Sequence, residues 1–175
     1  HAGHDDVMSC ADAGWGIVFG RNPQEACDLA LIARRAAEAS QTPFMHVQDG
    51  FLVTHTIENV LLAEPEFMKD YIGKPQDRIL NLFDVDVPLM TGVVQDQDSY
   101  MKGKIAQRHY YAHCLPALVD AMKVFSEATG RKDDLIDSYR MEDAEYAVVG
   151  MGCMMETAKP SIDHMRDVLG IKVGG

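Results

Sequence analysis

The feature that most constrains this chain is a strand–helix–strand succession packed into its first 50 residues. Gly14-Trp-Gly-Ile-Val-Phe-Gly reads as a short strand bounded by glycines, and Asn22-Pro23-Gln24-Glu25 follows at once. That quartet supplies an N-cap residue, a proline at the first helical position and a glutamate in the N3 slot. Apolar residues then recur at helical spacing (26, 29, 30, 33, 36 and 37), which carries the helix to about Ser40 with an alanine-rich face suited to close packing on a sheet. Pro43 to Gln48 is the next strand. Two strands joined by a helix through short connections form a βαβ unit, and such units build the parallel sheets of α/β domains. Ligands bind those sheets outside the carboxyl ends of the strands. Here that end is Asp49-Gly50, with Thr54-His55 just beyond. The same residues taken alone also make an ordinary polar turn.

Beyond the unit the pattern weakens. From Ile57 to Val94, prolines 65, 75 and 88 break the chain into short helical pieces and loop. A connection of that length inside a compact domain is often functional or wraps a partner. Leu115, Leu118, Val119, Met122 and Phe125 then predict an amphipathic helix, with Pro116 near its start and Gly130 just beyond its end. An acidic, polar link from Arg131 to Asp143 precedes a strand at Tyr146-Ala-Val-Val-Gly and a helix from Glu156 to Leu169. The shift in composition places a domain boundary near residue 140, dividing the chain into 1–140 and 141–175. The first residue is His1, and the closing Ile171-Lys-Val-Gly-Gly reads as a strand barely begun; we expect a piece of a longer polypeptide with both ends missing.

Charge narrows the function classes. A net charge of −11 argues against nucleic-acid binding, which calls for clustered Lys and Arg, and disfavours anionic membrane surfaces. No apolar run approaches the roughly 20 residues that cross a bilayer, and no secretory signal is present. The four cysteines (10, 27, 114, 153) include no Cys-x-x-Cys pair, so no metal or iron–sulfur ligation is expected, and reduced thiols in a cytoplasmic protein are.

Three further motifs each have two readings. Gly150-Met-Gly152 lies between a strand and a helix, but Met155 occupies the third glycine slot of a dinucleotide fingerprint, so a tight turn presenting backbone amides at a helix start is the better reading. His109 and His113 share a helix face and could grip a metal, yet Tyr110 stands where a zinc protease needs glutamate. His4-Asp5-Asp6 sets an imidazole beside two carboxylates, either a tuned proton donor or a solvated turn.

Taken in order, His4-Asp5-Asp6-Val-Met, the Gly14-Trp-Gly strand, Asn22-Pro-Gln-Glu-Ala, Pro43-Phe-Met-His, Asp49-Gly-Phe with Thr54-His55, Thr91-Gly-Val-Val-Gln-Asp-Gln-Asp-Ser-Tyr, Ala128-Thr-Gly-Arg, Glu142-Asp-Ala-Glu and Val149-Gly-Met-Gly resemble the 2-oxoacid:ferredoxin oxidoreductases. Essentially the whole chain is covered, and the nearest branch is the pyruvate:ferredoxin (flavodoxin) one, as its alpha subunit or the equivalent N-terminal region. The resemblance implies an α/β fold: the C-terminal part of a parallel-sheet, pyrimidine-type thiamine-diphosphate domain in 1–140, then the start of a transketolase-C-like domain in 141–175. It implies oxidative decarboxylation of a 2-oxoacid, probably replaced by none other than pyruvate as substrate class, with thiamine diphosphate and Mg²⁺ as cofactors. Coenzyme A would accept the acyl group, and iron–sulfur clusters on other domains or subunits would pass electrons to ferredoxin or flavodoxin. Partners would be subunits of beta, gamma and delta type in an oligomer.

The catalytic glutamate, threonine and arginine of the family correspond to positions upstream of His1. The arginine precedes the His-Asp segment closely, so the resemblance puts His4 and Asp6 beside the substrate pocket, and Asp49, Gly50, Thr54 and His55 at strand ends near the site or a subunit interface. Where single-chain enzymes carry Arg-Thr-Ser-His-Glu, this chain has Leu52-Val-Thr-His-Thr56, which removes an ionic pair from that loop and fits a separate alpha subunit. The alternative is a transketolase-like scaffold that pairs with other subunits and holds no active site.

Overall fold

The computed structural model describes residues 3–175. Its elements run α1 (Asp5–Met8), a 3₁₀ turn (Ala11–Ala13), β1 (Gly16–Gly20), α2 (Pro23–Ser40), β2 (Phe44–Gln48), α3 (Pro65–Ile72), a 3₁₀ turn (Pro75–Asp77), α4 (Gln97–Thr129), β3 (Tyr146–Ala147), α5 (Met154–Asp167) and β4 (Val173–Gly174).

The βαβ unit forms as the sequence predicts. Strands β1 and β2 pair in parallel, from Gly16 opposite Phe44 to Gly20 opposite Gln48. Gly16 has to be glycine, because a Cβ there would come within 2.5 Å of the Phe44 ring. At the start of α2, Asn22 Oδ1 accepts from the Glu25 amide at 2.9 Å, and Glu25 Oε2 accepts from the Arg21 amide at 3.0 Å. Together they satisfy two otherwise orphaned donors at the helix entry. The helix ends at Gln41, which adopts the left-handed conformation.

The core lies between α2 and α4. Ile32, Ala33 and Ala36 of α2 meet Leu118, Ala121 and Phe125 of α4, with Val18 of β1 and Tyr71 of α3 closing the cluster. Small alanines let the two helix axes approach. Phe125 is fully buried, edge-on to Tyr71 at 5.4 Å and Phe67 at 5.9 Å. Tyr71 donates its hydroxyl proton to the Ala121 carbonyl at 2.8 Å, which removes the cost of burying a phenol.

The helix expected near Leu115 starts much earlier, at Gln97, and Pro116 lies in its interior. The capping box decides this: Asp96 Oδ1 accepts from the amides of Asp98 and Ser99, and the Asp96 amide donates to Ser99 Oγ at 3.1 Å. Apolar residues in the first half of α4 do not fall on one face, so the pattern hid a start that the cap supplies. The segment between β2 and α4 is short helical pieces and loop, as read. The strand read at Tyr146 to Gly150 is shorter, two residues paired in parallel with β4, and α5 runs two residues ahead of its expected span. β3, α5 and β4 make a second, minimal βαβ unit, with Ile162 and Val173 buried beneath it.

The link joining the units is held by charge. Arg131 forks onto Asp28 through Nε at 2.7 Å and Nη2 at 2.9 Å, and Arg140 reaches Asp163 and Asp167 on α5 at 2.7 and 2.8 Å. No described helix is long and apolar enough to cross a membrane.

Candidate functional site

Asp49 leaves the carboxyl end of β2 and is buried, 3% exposed. Its Oδ1 lies 2.7 Å from Nε2 of His4, at the start of α1. Its Oδ2 accepts from the backbone N–H of Cys153 at 2.7 Å, at the entry to α5. One carboxylate thus ties the amino-terminal segment, the first βαβ unit and the second. A helix entry presents unpaired amides and the positive end of the helix dipole, and Asp49 supplies the anion that such an end favours. Gly152 makes the approach possible: its φ is +67°, and a Cβ there would sit 2.3 Å from Asp49 Oδ2.

The electrostatics follow from this arrangement. Burial alone would push the Asp49 carboxyl up, but hydrogen bonds from Cys153 and His4 outweigh it and hold the group below the usual carboxylate range. An ionised carboxylate only accepts, so Nε2 of His4 is the donor and Nδ1 is left for another partner. The His4 ring also packs on Phe19 of β1, with centroids 4.8 Å apart. Burial first, and the neighbouring Asp49 charge second, push the Cys153 thiol up to about 11, which keeps it protonated and unreactive near neutrality.

The other residues marked in the sequence divide. Gly50 adjoins Asp49 in the chain and is half-buried. Thr54 and His55 are exposed in the loop beyond: Thr54 Oγ1 accepts from the Phe51 amide at 3.0 Å and lies 2.7 Å from His55 Nδ1, and the His55 ring stacks on Phe51. They share the strand-end loop with Asp49, but no hydrogen bond among the described residues joins them to the His4 pair. Asp6 is exposed and turned to its own backbone, accepting from the Val7 amide at 2.7 Å. It does not reach Asp49. His113 Nδ1 lies 2.7 Å from the His109 carbonyl, which commits one ring nitrogen of that pair to the helix backbone.

A cleft of about 710 Å³ opens between β1 and the link to α5; it meets the His4–Asp49 pair at Phe19 and Gly152 and is lined with apolar side chains such as Ile17, Met122 and Met155. Among the described residues no group of three or more His, Cys, Asp or Glu is placed to hold a metal ion. Asp49, with both oxygens engaged, is not free to ligate a cation. The described residues therefore fit the organic end of a cofactor or a polar substrate, through His4 and the Thr54 loop, and not a diphosphate with its divalent ion.

Sequence reasoning did not foresee the part played by Gly152 and Cys153. Gly-x-Gly after a strand was legible as amides at a helix start, and the structure shows that turn; the missing piece was that the anion it holds is a side chain of this same chain, 104 residues away.

Comparison with known proteins agrees with this picture. The family model described as pyruvate flavodoxin/ferredoxin oxidoreductase, thiamine diphosphate-binding, matches residues 1–123. The pyruvate synthase subunit PorA of Thermotoga maritima is 33% identical over 176 residues, which cover 99% of this chain and 44% of that protein. PorA of Methanothermobacter thermautotrophicus is 32% identical over 164 residues, 93% of this chain and 42% of its own length. The pyruvate-flavodoxin oxidoreductase of Trichormus variabilis is 31% identical over 175 residues, 98% of this chain but 14% of the relative. The chain thus spans less than half the length of these relatives, and the match extends across both βαβ units. It belongs to the family of thiamine-diphosphate-binding domains of the pyruvate flavodoxin/ferredoxin oxidoreductases.

Proposed function

We propose that this chain is part of a CoA-acylating 2-oxoacid:ferredoxin or flavodoxin oxidoreductase of the cytoplasm, with pyruvate as its substrate, and that it contributes one wall of the thiamine diphosphate pocket. The observation that carries the reading is the His4–Asp49 pair at the carboxyl end of a parallel strand, where α/β sheets bind ligands. The names of the relatives support the substrate and the acceptor.

Within that pocket the roles follow from the bonds. Asp49 orients the His4 imidazole, with Nε2–H directed to the carboxylate and Nδ1 free to hold a polar group or take a proton. Asp6, Gly50, Thr54 and His55 belong to the rim, Thr54 and His55 facing solvent where a second domain or subunit would close on them. Thiamine diphosphate, when bound, supplies the carbanion chemistry of decarboxylation; its diphosphate and Mg²⁺ are held by groups beyond this chain's described residues. Iron–sulfur clusters and coenzyme A sites lie on other domains or on subunits of beta, gamma and delta type. Residues 1–140 form the latter part of the pyrimidine-type domain, and the minimal unit β3–α5–β4 begins a transketolase-C-like domain at 141–175.

The test is reconstitution. The full-length protein with its partner subunits reduces ferredoxin when given pyruvate, coenzyme A and thiamine diphosphate, whereas the 175-residue segment by itself shows no turnover. A reconstituted complex that neither binds thiamine diphosphate nor reduces an acceptor in response to any 2-oxoacid would leave the scaffold alternative.

A further inference from the structure

We propose that residues 79–94 form a docking face for a second, different polypeptide of the oxidoreductase, one whose contact surface is apolar at its centre and carries lysine or arginine at its rim; the proposal rests on the function given above. Ten of the sixteen residues from 79 to 94 are large apolar side chains that are exposed, among them Phe83 at 90%, Val85 at 89% and Val94 at 95%. Scattered exposed apolar residues are ordinary, but a continuous run of them marks an interaction surface.

The segment is organised so that its polar groups serve its own backbone. Asn81 Oδ1 accepts from the Phe83 amide at 3.0 Å, and Asp84 Oδ1 accepts from the amides of Asp86 and Val87 at 2.9 and 3.3 Å. Its ends are fixed, by the Ile79 amide on the Pro75 carbonyl at 2.8 Å and by the Asp96 cap of α4. Polar groups turned in and apolar groups turned out is the reverse of a loop made for water.

Charge selects the occupant. From 79 to 101 the chain carries Asp84, Asp86, Asp96 and Asp98 and no lysine, arginine or histidine. A second copy of this chain would bring a net charge of −11 against another −11, and like charges set face to face oppose association. A face with a basic rim matches instead.

The experiment uses the full-length protein, alone and assembled with the other subunits of the enzyme. Hydrogen exchange read by mass spectrometry is expected to show the amides of 79–94 exchanging freely in the isolated protein and at least about tenfold more slowly in the complex. Phe83→Ser is expected to weaken assembly by about thirtyfold or more, the scale of an aromatic anchor, without shifting the melting of the isolated protein. Asp86→Lys is expected to weaken assembly and flatten its dependence on salt. Protection already present in the isolated protein at every concentration would mean that its own chain covers the segment; protection that grows with its concentration would mean a second copy. Either result, or assembly indifferent to both substitutions, overturns the proposal. Assembly is read without turnover, so a complex that forms as described but binds no thiamine diphosphate upholds the docking face and counts against the function alone.

Discussion

His4 Nε2 and Asp49 Oδ1 stand 2.7 Å apart, and through that contact the first helix of the chain is fastened to the tip of its second strand. The other oxygen of the same carboxylate holds the entry of α5. Removing the carboxylate strands two donors at once. Asp49→Ala is therefore expected to destabilise the full-length protein by about 3 kcal/mol, and Asp49→Asn by less, since its amide oxygen keeps one bond. Denaturant titration of the two variants checks the order.

The same group sets a pH dependence. Its folded pKa lies below the unfolded value, so the folded state holds its charge to lower pH. The stability it contributes is present above the unfolded value of about 4 and is lost as pH falls through the folded one. Melting temperatures taken from pH 7 down to pH 2 are expected to fall less steeply for Asp49→Asn than for the native protein in the acid range.

Gly152→Ala tests the cradle from the other side. A side chain at φ +67° costs about 1 kcal/mol, and the new Cβ would also displace Asp49 Oδ2. The expected loss is about 2–4 kcal/mol, with the thiol of Cys153 reacting faster with a maleimide as Asp49 is displaced. Unchanged stability and thiol reactivity would contradict the close approach.

Asp133 gives a shift of opposite sign. Burial, and then the charges of Asp28 and Glu25, push its carboxyl up to about 6, and its Oδ2 is buried without a hydrogen-bond partner. The folded state binds the proton more tightly than the unfolded one, so this contribution is complete below about pH 4 and disappears as pH rises through 6. Asp133→Asn is expected to stabilise the protein at pH 7.5 by about 1 kcal/mol, a few degrees in melting temperature, and to have little effect at pH 4.

In the core, Phe125→Ala removes a fully buried ring together with its edge contacts to Tyr71 and Phe67. A loss of about 3–5 kcal/mol is expected in the same titration.

What the sequence disclosed tracks local chemistry. Asn22-Pro23-Gln24-Glu25 announces α2, because a cap, a proline and a glutamate act within one turn, and the alanines of α2 announce its packing. Asp96 and Ser99 announce α4 in the same way, yet Pro116 pointed to a later start; a proline is equally legible as the first residue of a helix and as an interior one that tertiary packing tolerates. The nearness of Asp49 to His4 was legible through the family resemblance. Its bond to Cys153 was not, since two residues 104 apart meet only through the packing of one βαβ unit on the other.

The central claim is that the His4–Asp49 pair borders the pocket in which pyruvate is decarboxylated. Its most direct test is kcat/KM for pyruvate in the assembled enzyme carrying His4→Ala, beside Lys123→Ala on the exposed face of α4 as a control. A fall of about tenfold or more for His4→Ala, with assembly intact and the control unchanged, is the predicted result. An unchanged kcat/KM in an intact complex would contradict it.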